Sequence, residues 1–266
     1  MHRLFDLTGR VAIVTGAAQN MGRSSALALA EAGADILVAD LNGPGAEATA
    51  AEIRQLGRRA LPHVVDLANE AQNRAMFDVL DKEFGRLDVM VNIPGNNILG
   101  HAEDITVEQF MNVLQGTLVS KFICCQEAGR RMLRQGRGSI INMSSIGGIR
   151  ALGRGAIAYD IGQAGVVAMT RDLSVEWAGR GVRINAIAPA QITNPAFEQR
   201  MENTPGLRET YLRGIPVGRL GIPEDIKGLI VFLASDASSF ITGSVFPLDG
   251  GNLAMNANGS LGRSAA

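Results

Sequence analysis

Ser139-Ile140-Ile141-Asn142-Met143-Ser144-Ser145 runs from an apolar stretch into a pair of hydroxyls, and Tyr159-Asp160-Ile161-Gly162-Gln163 opens a helical pattern that continues to Ala178. The first segment reads as a buried strand. In the second, residues four apart share a helix face, so Gln163 stands beside Tyr159. A hydroxyl pair at a strand end, at Ser144 and Ser145, therefore faces a phenol on a helix.

Outward from this stretch the same alternation repeats. Val11-Ala12-Ile13-Val14 is a short apolar run closed by Thr15-Gly16, a helical pattern fills Met21 to Ala32, and Asp35 to Asp40 is a second strand. Asn42-Gly43-Pro44-Gly45 carries strong breaker chemistry and reads as a turn. A helix is then expected over 45–56, a strand over 60–65, a helix over 70–84 and a strand from Leu87 to Asn92. A loop with Pro94, Gly95 and Gly100 leads into a long helix over 107–134. Beyond the Tyr159 helix, strands are expected at Arg183–Ala188 and near Ser244–Leu248. Strands that alternate with helices and are almost continuously apolar imply an α/β fold with a parallel sheet covered on both faces. Right-handed crossovers make that sheet doubly wound, with its ligand crevice at the carboxyl ends of the strands. No repeat or linker divides the chain, so 1–266 is expected to be one domain. Its small polar residues from 252 to 266 read as a loose tail.

Composition narrows the function classes. The chain has 266 residues, 46% hydrophobic and 19% charged, with a net charge of −1, which suits a buried core and a solvated surface. No basic or acidic block points to nucleic acid or a charged membrane surface. No apolar run reaches the roughly 18–20 residues of a membrane span, and the start lacks the apolar core of a secretion signal. Cys124 and Cys125 are the only cysteines and are adjacent, so no disulfide framework exists. They form no metal-ligand cluster with His2, His63 and His101. A reducing cytoplasm is the expected location.

Thr15-Gly16-Ala17-Ala18-Gln19-Asn20-Met21-Gly22 joins the first strand to the first helix. Unpaired N–H groups and the helix dipole make such a turn a cradle for a pyrophosphate, and Gly16 and Gly22 let backbone approach it without a Cβ in the way. Asp40 ends the second strand, where a carboxylate binds ribose hydroxyls and repels a 2′-phosphate. That placement favours NAD over NADP. A strand-end cap is the alternative role for Asp40.

With these features the chain, from residue 8 to about 251, resembles the short-chain dehydrogenase/reductase family. Thr15, Gly16 and Gly22 match the family's cofactor turn, Thr-Gly-x-x-x-Gly-x-Gly. Asp66 in Val65-Asp66-Leu67 matches the acid beside the adenine. Asn92 and Gly95 match the ends of the Asn-Asn-Ala-Gly motif, and Ser145 and Tyr159 the catalytic serine and tyrosine. Arg183-Ile184-Asn185 with Pro189 matches the strand leading to the nicotinamide, and Asp249-Gly250-Gly251 the closing motif. The resemblance implies a Rossmann-like sheet in the order 3-2-1-4-5-6-7. It implies cofactor contacts at Gly16, Asn20, Met21, Gly22, Asp40, Asp66, Leu67, Asn92, Gly95, Pro189 and Ile192. It also implies a substrate-covering segment over 191–215, in which Met201, Leu207 and Leu212 line a pocket or belong to the core.

The departures from the family cluster at the chemistry. The third cofactor-turn position is Asn20, a residue that tolerates left-handed angles. Asn-Asn-Ala-Gly reads Asn92-Ile93-Pro94-Gly95, and the Pro-Gly near the nicotinamide reads Pro189-Ala190. The relay asparagine aligns with Thr117, and the lysine of Tyr-x-x-x-Lys is Gln163. In the family that lysine lowers the tyrosine pKa and hydrogen-bonds the nicotinamide ribose. An unassisted phenol titrates near 10, and a neutral amide assists it far less than a cation does. Arg150, Arg154 and Arg171 are the cations that would replace the lysine by folding into the site. His101, in the loop after the fourth strand, either overhangs the crevice or lies on the surface.

The resemblance thus implies an NAD-linked alcohol/carbonyl oxidoreductase with an impaired site and weakened or lost cofactor binding. The expected role is a non-catalytic partner of an active paralogue. Alternatives are an active homotetrameric secondary-alcohol dehydrogenase or ketoreductase, and a non-redox lyase or ligand-binding protein on the same fold. Family members assemble, typically as tetramers, through the helices at 107–134 and 159–178. There Phe110, Leu114, Leu118, Phe122, Val166, Val167 and Trp177 are apolar and available for burial. A small-molecule alcohol or carbonyl is the expected substrate.

Overall fold

A computed structural model of the chain describes residues 3–255. Seven parallel strands form one sheet in the order β3-β2-β1-β4-β5-β6-β7. They are β1 (Val11–Thr15), β2 (Asp35–Asp40), β3 (Ala60–Val64), β4 (Val89–Asn92), β5 (Gly138–Met143), β6 (Val182–Pro189) and β7 (Val245–Leu248). The helices include α1 (Asn20–Glu31), α2 (Gly43–Gln55), α3 (Glu70–Glu83), α4 (Val107–Leu114), α5 (Ser120–Gln135) and α6 (Ile157–Trp177). After β6 come α7 (Pro195–Glu202), α8 (Leu207–Arg213) and α9 (Lys227–Ala234).

The near-continuous apolar strands make sense because the central ones feed two cores. Ala12 and Val14 of β1, Ile36 and Val38 of β2, Val89 and Val91 of β4, and Ile141 of β5 point into one core, which α1 and α9 close with Leu29, Ile230 and Leu233. Their neighbours Val11, Ile13, Leu37, Met90 and Ile140 point into the other, closed by Phe77 and Leu80 of α3, Met132 of α5, and Trp177. Successive strand residues face opposite sides, so a sheet covered twice needs apolar residues at both parities. Trp177 lies against Gly129, where an added Cβ would meet the indole ring. Gly129→Ala is therefore expected to destabilise the fold by about 1–3 kcal/mol through overpacking, read as a lower urea midpoint at unchanged slope.

Several expectations are corrected by the structure. The breaker cluster at 42–45 starts a helix: the Asn42 side chain accepts from Gly45 N at 3.1 Å, and Pro44 lies in the first turn of α2. Asn is a strong N-cap and proline needs no donor there. The helix expected over 107–134 is interrupted by a π-helical turn, Gln115–Val119. Helix α9 has no counterpart among the expected elements. Val166, Val167 and Trp177 are buried within the subunit, so they do not serve assembly; the apolar side chains exposed on α4, α5 and α6 include Met111, Phe122 and Ile161. The start of the expected loose tail is tied down, with Asp249 accepting from Leu253 N at 2.7 Å and Asn252 Nδ2 donating to Gly214 O at 2.6 Å. The rest of that tail, from 256, and His2 lie outside the described residues.

Candidate active site

The order of strands reverses between β1 and β4, and a cavity of about 690 Å³ opens at the carboxyl ends there. Such a switch point is where doubly wound sheets bind ligands, and the volume lies in the range of small-molecule sites. Gly16, Asn20, Met21, Gly22, Asp40, Asp66, Leu67, Gly95, Ser145, Tyr159, Gln163, Pro189 and Ile192 all line it.

At the β1–α1 turn, Gly16 has φ +66° and Asn20 φ +50°, the left-handed angles that glycine and asparagine tolerate best. A Cβ on Gly22 would run into the Gly16 carbonyl, which fixes how closely strand and helix cross. Gln19, the N-cap of α1, makes no side-chain capping bond. The first N–H groups of α1 thus face the cavity without a side-chain acceptor, as an anion site requires. Asp40 takes the capping role foreseen for it. Its Oδ2 accepts from Ala18 N and its Oδ1 from Asn42 N, each at 2.9 Å, and it still lines the cavity. Asp66 is held similarly, accepting from Ala68 N at 2.9 Å.

Two expected site residues stand behind the wall. Asn92 is 1% exposed and donates to Asn142 Oδ1 at 2.9 Å. Its side chain belongs to the core between β4 and β5 and does not line the cavity. Thr117 is fully buried in the π turn and donates to the Asn96 carbonyl at 3.1 Å. It still adjoins the chemistry: a Cβ on Gly95 would lie 3.2 Å from Thr117 Oγ1 and 3.5 Å from Gln163 Nε2. Gly116, next to it, has no room for a Cβ because the Asn96 amide fills that space. The π turn reaches the cavity through Gly116, and π turns concentrate at functional sites.

Ser144 and Ser145 divide their roles. Ser144 Oγ donates to the Gln163 carbonyl at 3.0 Å, tying β5 to α6, while Ser145 Oγ accepts from Gly147 N at 3.0 Å. Burial raises the Tyr159 pKa above its ordinary 10. Hydrogen bonding from Gln163 and Ser145 acts in the opposite direction, and Asp160 adds to the rise. No cation is among the groups acting on the phenol. Gln163 is 2% exposed, and its Oε1 has no hydrogen-bond partner in the structure. The candidate replacement cations Arg150, Arg154 and Arg171 are all exposed, and the Arg154 guanidinium lies over the Tyr211 ring at 4.8 Å. His101 is exposed and lines neither the main cavity nor its side branch.

That branch, of about 320 Å³, shares Ser145, Tyr159, Pro189 and Ile192 with the main cavity and is closed by α7 and α8. These helices have a small core of their own, Met201, Tyr211, Ile215 and Leu220, with Leu207 and Leu212 packed on it. Met201, Leu207 and Leu212 are thus core, not pocket wall. Asn194 caps α7, accepting from Phe197 N at 3.0 Å. Sequence reasoning did not single out Asn96, Gln191 or Arg200 as site residues. Asn96 and Gln191 lie in loops and Arg200 on α7, and the three come together only through the fold.

No group of three or more His, Cys, Asp or Glu side chains among the described residues is arranged to hold a metal, and no helix there is long and apolar enough to cross a membrane. Residues 16–252 match the family described as enoyl-(acyl carrier protein) reductase. D-threitol dehydrogenase of Mycolicibacterium smegmatis is 39% identical over 93% of this chain and 94% of its own length. The BbsD subunit of a hydroxy(phenyl)methylsuccinyl-CoA dehydrogenase from Thauera aromatica is 33% identical over 92% of this chain and 97% of its own. A 7α-hydroxysteroid dehydrogenase solved with NADH and 7-oxo glycochenodeoxycholic acid superposes with a TM-score of 0.89 at 28% identity, over 93% of this chain and 96% of its own.

Proposed function

The chain belongs to the short-chain dehydrogenase/reductase family, whose members are oxidoreductases of alcohol-like substrates, and from that premise we propose that it is an NAD-binding alcohol/carbonyl oxidoreductase subunit with an impaired proton-transfer step. The observation that carries this reading is Gln163, buried beside Tyr159 and bringing no charge to a phenol that burial pushes upward.

The residues present fit a nicotinamide dinucleotide. The N-terminus of α1 would hold the pyrophosphate, Asp40 the adenosine ribose, and Asp66 and Leu67 the adenine side of the cavity. When bound, the cofactor accepts or gives the hydride. Ser145 positions the substrate oxygen by hydrogen bonding, Tyr159 exchanges the proton with it, and Gln163 offers an amide donor toward the nicotinamide ribose. The segment 191–215, with α7 and α8, covers the substrate. The carboxylate at Asp40, followed by Leu41 and Asn42 with no cation, supports NAD over NADP. Asn20 and Ala190, in place of the family's glycines, are expected to weaken cofactor binding.

A role beside a catalytically competent relative fits an intact scaffold around a damaged site. It has a parallel in the Thauera relative, which is named as a subunit. Thermal shift with NADH and NADPH tests the cofactor reading. A ligand at about 100 times its dissociation constant adds roughly 2.7 kcal/mol, and the expected result is stabilisation by NADH exceeding that by NADPH. A flat response to both would remove the oxidoreductase reading. Native mass spectrometry after co-expression with a relative that keeps Tyr-x-x-x-Lys is expected to show a mixed oligomer; homo-oligomers alone would sink the partner role.

A further inference from the structure

We propose that the side branch of the crevice binds the anionic end of a hydroxy- or oxo-acid, with Arg154 and Arg200 holding the carboxylate while the carbon to be oxidised or reduced faces Ser145 and Tyr159. This rests on the reading of the crevice as a substrate site and names the substrate class it takes.

Both arginines line the branch that Ser145 and Tyr159 also line. The loop that carries Arg154 follows the hydroxyl pair, and Arg200 comes from α7 on the covering segment, so the charges enter from two sides. Arg154 is held in place on two fronts. Its guanidinium stacks over Tyr211 at 4.8 Å, and Tyr211 is itself fixed by an edge contact with Phe197 at 5.3 Å between ring centroids. Gln191, 8% exposed, accepts from Nη1 and Nη2 of Arg154 when its amide oxygen faces the guanidinium, at 3.0 Å for Nη2. A buried amide and an aromatic face thus fix the plane of the fork, and a fixed planar fork is suited to bidentate binding of a carboxylate.

Among the described residues neither Arg154 nor Arg200 has a carboxylate within 4.0 Å. Arg74, Arg86, Arg131 and Arg219, elsewhere in the chain, each pair with one. Asp160 acts on Arg154 only from beyond ion-pair distance, and the charge of Arg200 opposes it. Two guanidiniums against one carboxylate leave the branch net positive and like charges close together, an arrangement that an entering anion relieves. The remaining wall includes Leu99, Ile146, Leu152 and Phe197, which suits a short apolar skeleton between the acid and the reacting carbon.

The test is calorimetric and involves no turnover. The protein saturated with NAD+ is titrated with 4-oxocyclohexanecarboxylate and with its methyl ester, since a ketone and oxidised cofactor form a dead-end complex. The acid is expected to bind at least 10-fold tighter. Arg154→Gln and Arg200→Gln are each expected to weaken the acid about 10-fold or more while leaving the ester and NAD+ affinities unchanged. Equal binding of acid and ester, or equal weakening of both by the substitutions, would overturn the proposal. If NAD+ itself fails to bind, the cofactor reading falls. The same acid–ester comparison on the cofactor-free protein then decides the anion site separately, for or against.

Discussion

Gln163→Lys combined with Thr117→Asn is expected to raise NAD-dependent oxidation of a secondary hydroxy-acid by about 10²-fold or more over the natural chain, because matched general acid–base catalysis contributes roughly 10²–10⁴-fold. The geometry favours recovery. Gln163 is buried, its Nε2 lies beside Gly95, and both residues line the main cavity, so a lysine at 163 would extend toward that cavity. Gln163 Oε1 has no partner to lose, and Thr117 donates to a carbonyl that an asparagine amide can also reach. The pH profile gives an independent reading. Oxidation needs the phenolate, and burial raises Tyr159 above its ordinary value, so the natural chain's residual rate is expected to climb with pH through 10. A lysine ammonium favours the phenolate, so the double variant is expected to level off at lower pH. A rate increase without that change in profile would mean that lysine acts on ribose binding alone. No increase would mean that the chemistry was lost elsewhere.

The sheet was legible because parallel strands buried on both faces leave a signature that side-chain chemistry alone dictates: Val11 to Val14 and Asp35 to Asp40 have almost no polar interior positions. The site residues at strand ends were legible for the same reason, since the crevice position follows from topology. Helix α9 was not. Leu229-Ile230-Val231-Phe232-Leu233-Ala234 is an unbroken apolar run, and such a run has no period to separate helix from strand. The π turn at Thr117 was hidden too; there Asn96, from another loop, packs against Gly116. At Asn92 the motif match gave a place in the chain and not a side-chain direction; its amide turns inward to Asn142. Arg154 was visible as a candidate cation, yet its partners Gln191 and Tyr211 lie 37 and 57 residues further along the chain, and only the fold shows that it lines the side branch, stacked on Tyr211.

Lys121→Met is expected to stabilise the protein by about 4 kcal/mol at pH 7 and to flatten its stability above that pH. Lys121 lies on α5 one turn beyond Thr117, is 2% exposed, and its Nζ has no hydrogen-bond partner. Burial lowers its pKa from 10.5 to about 7. Every tenfold loss of proton affinity on folding costs about 1.36 kcal/mol. Between pH 7 and 10.5 the unfolded chain holds a proton that the folded chain lacks, so stability rises with pH across that window. The penalty is complete below pH 7 and gone above about 10.5. Methionine matches the straight shape of lysine and carries no charge to desolvate, so both the penalty and its pH dependence should vanish. Urea unfolding of the two proteins at pH 6, 7, 8.5 and 10 measures this directly. Their difference in stability should be greatest at pH 6 and shrink to about 1 kcal/mol by pH 10. A constant difference across that range would show that the lysine keeps its ordinary pKa, with its ammonium hydrated in the folded protein. A destabilised methionine variant would mean that the ammonium serves the fold, and the cost assigned to its burial would then have the wrong sign.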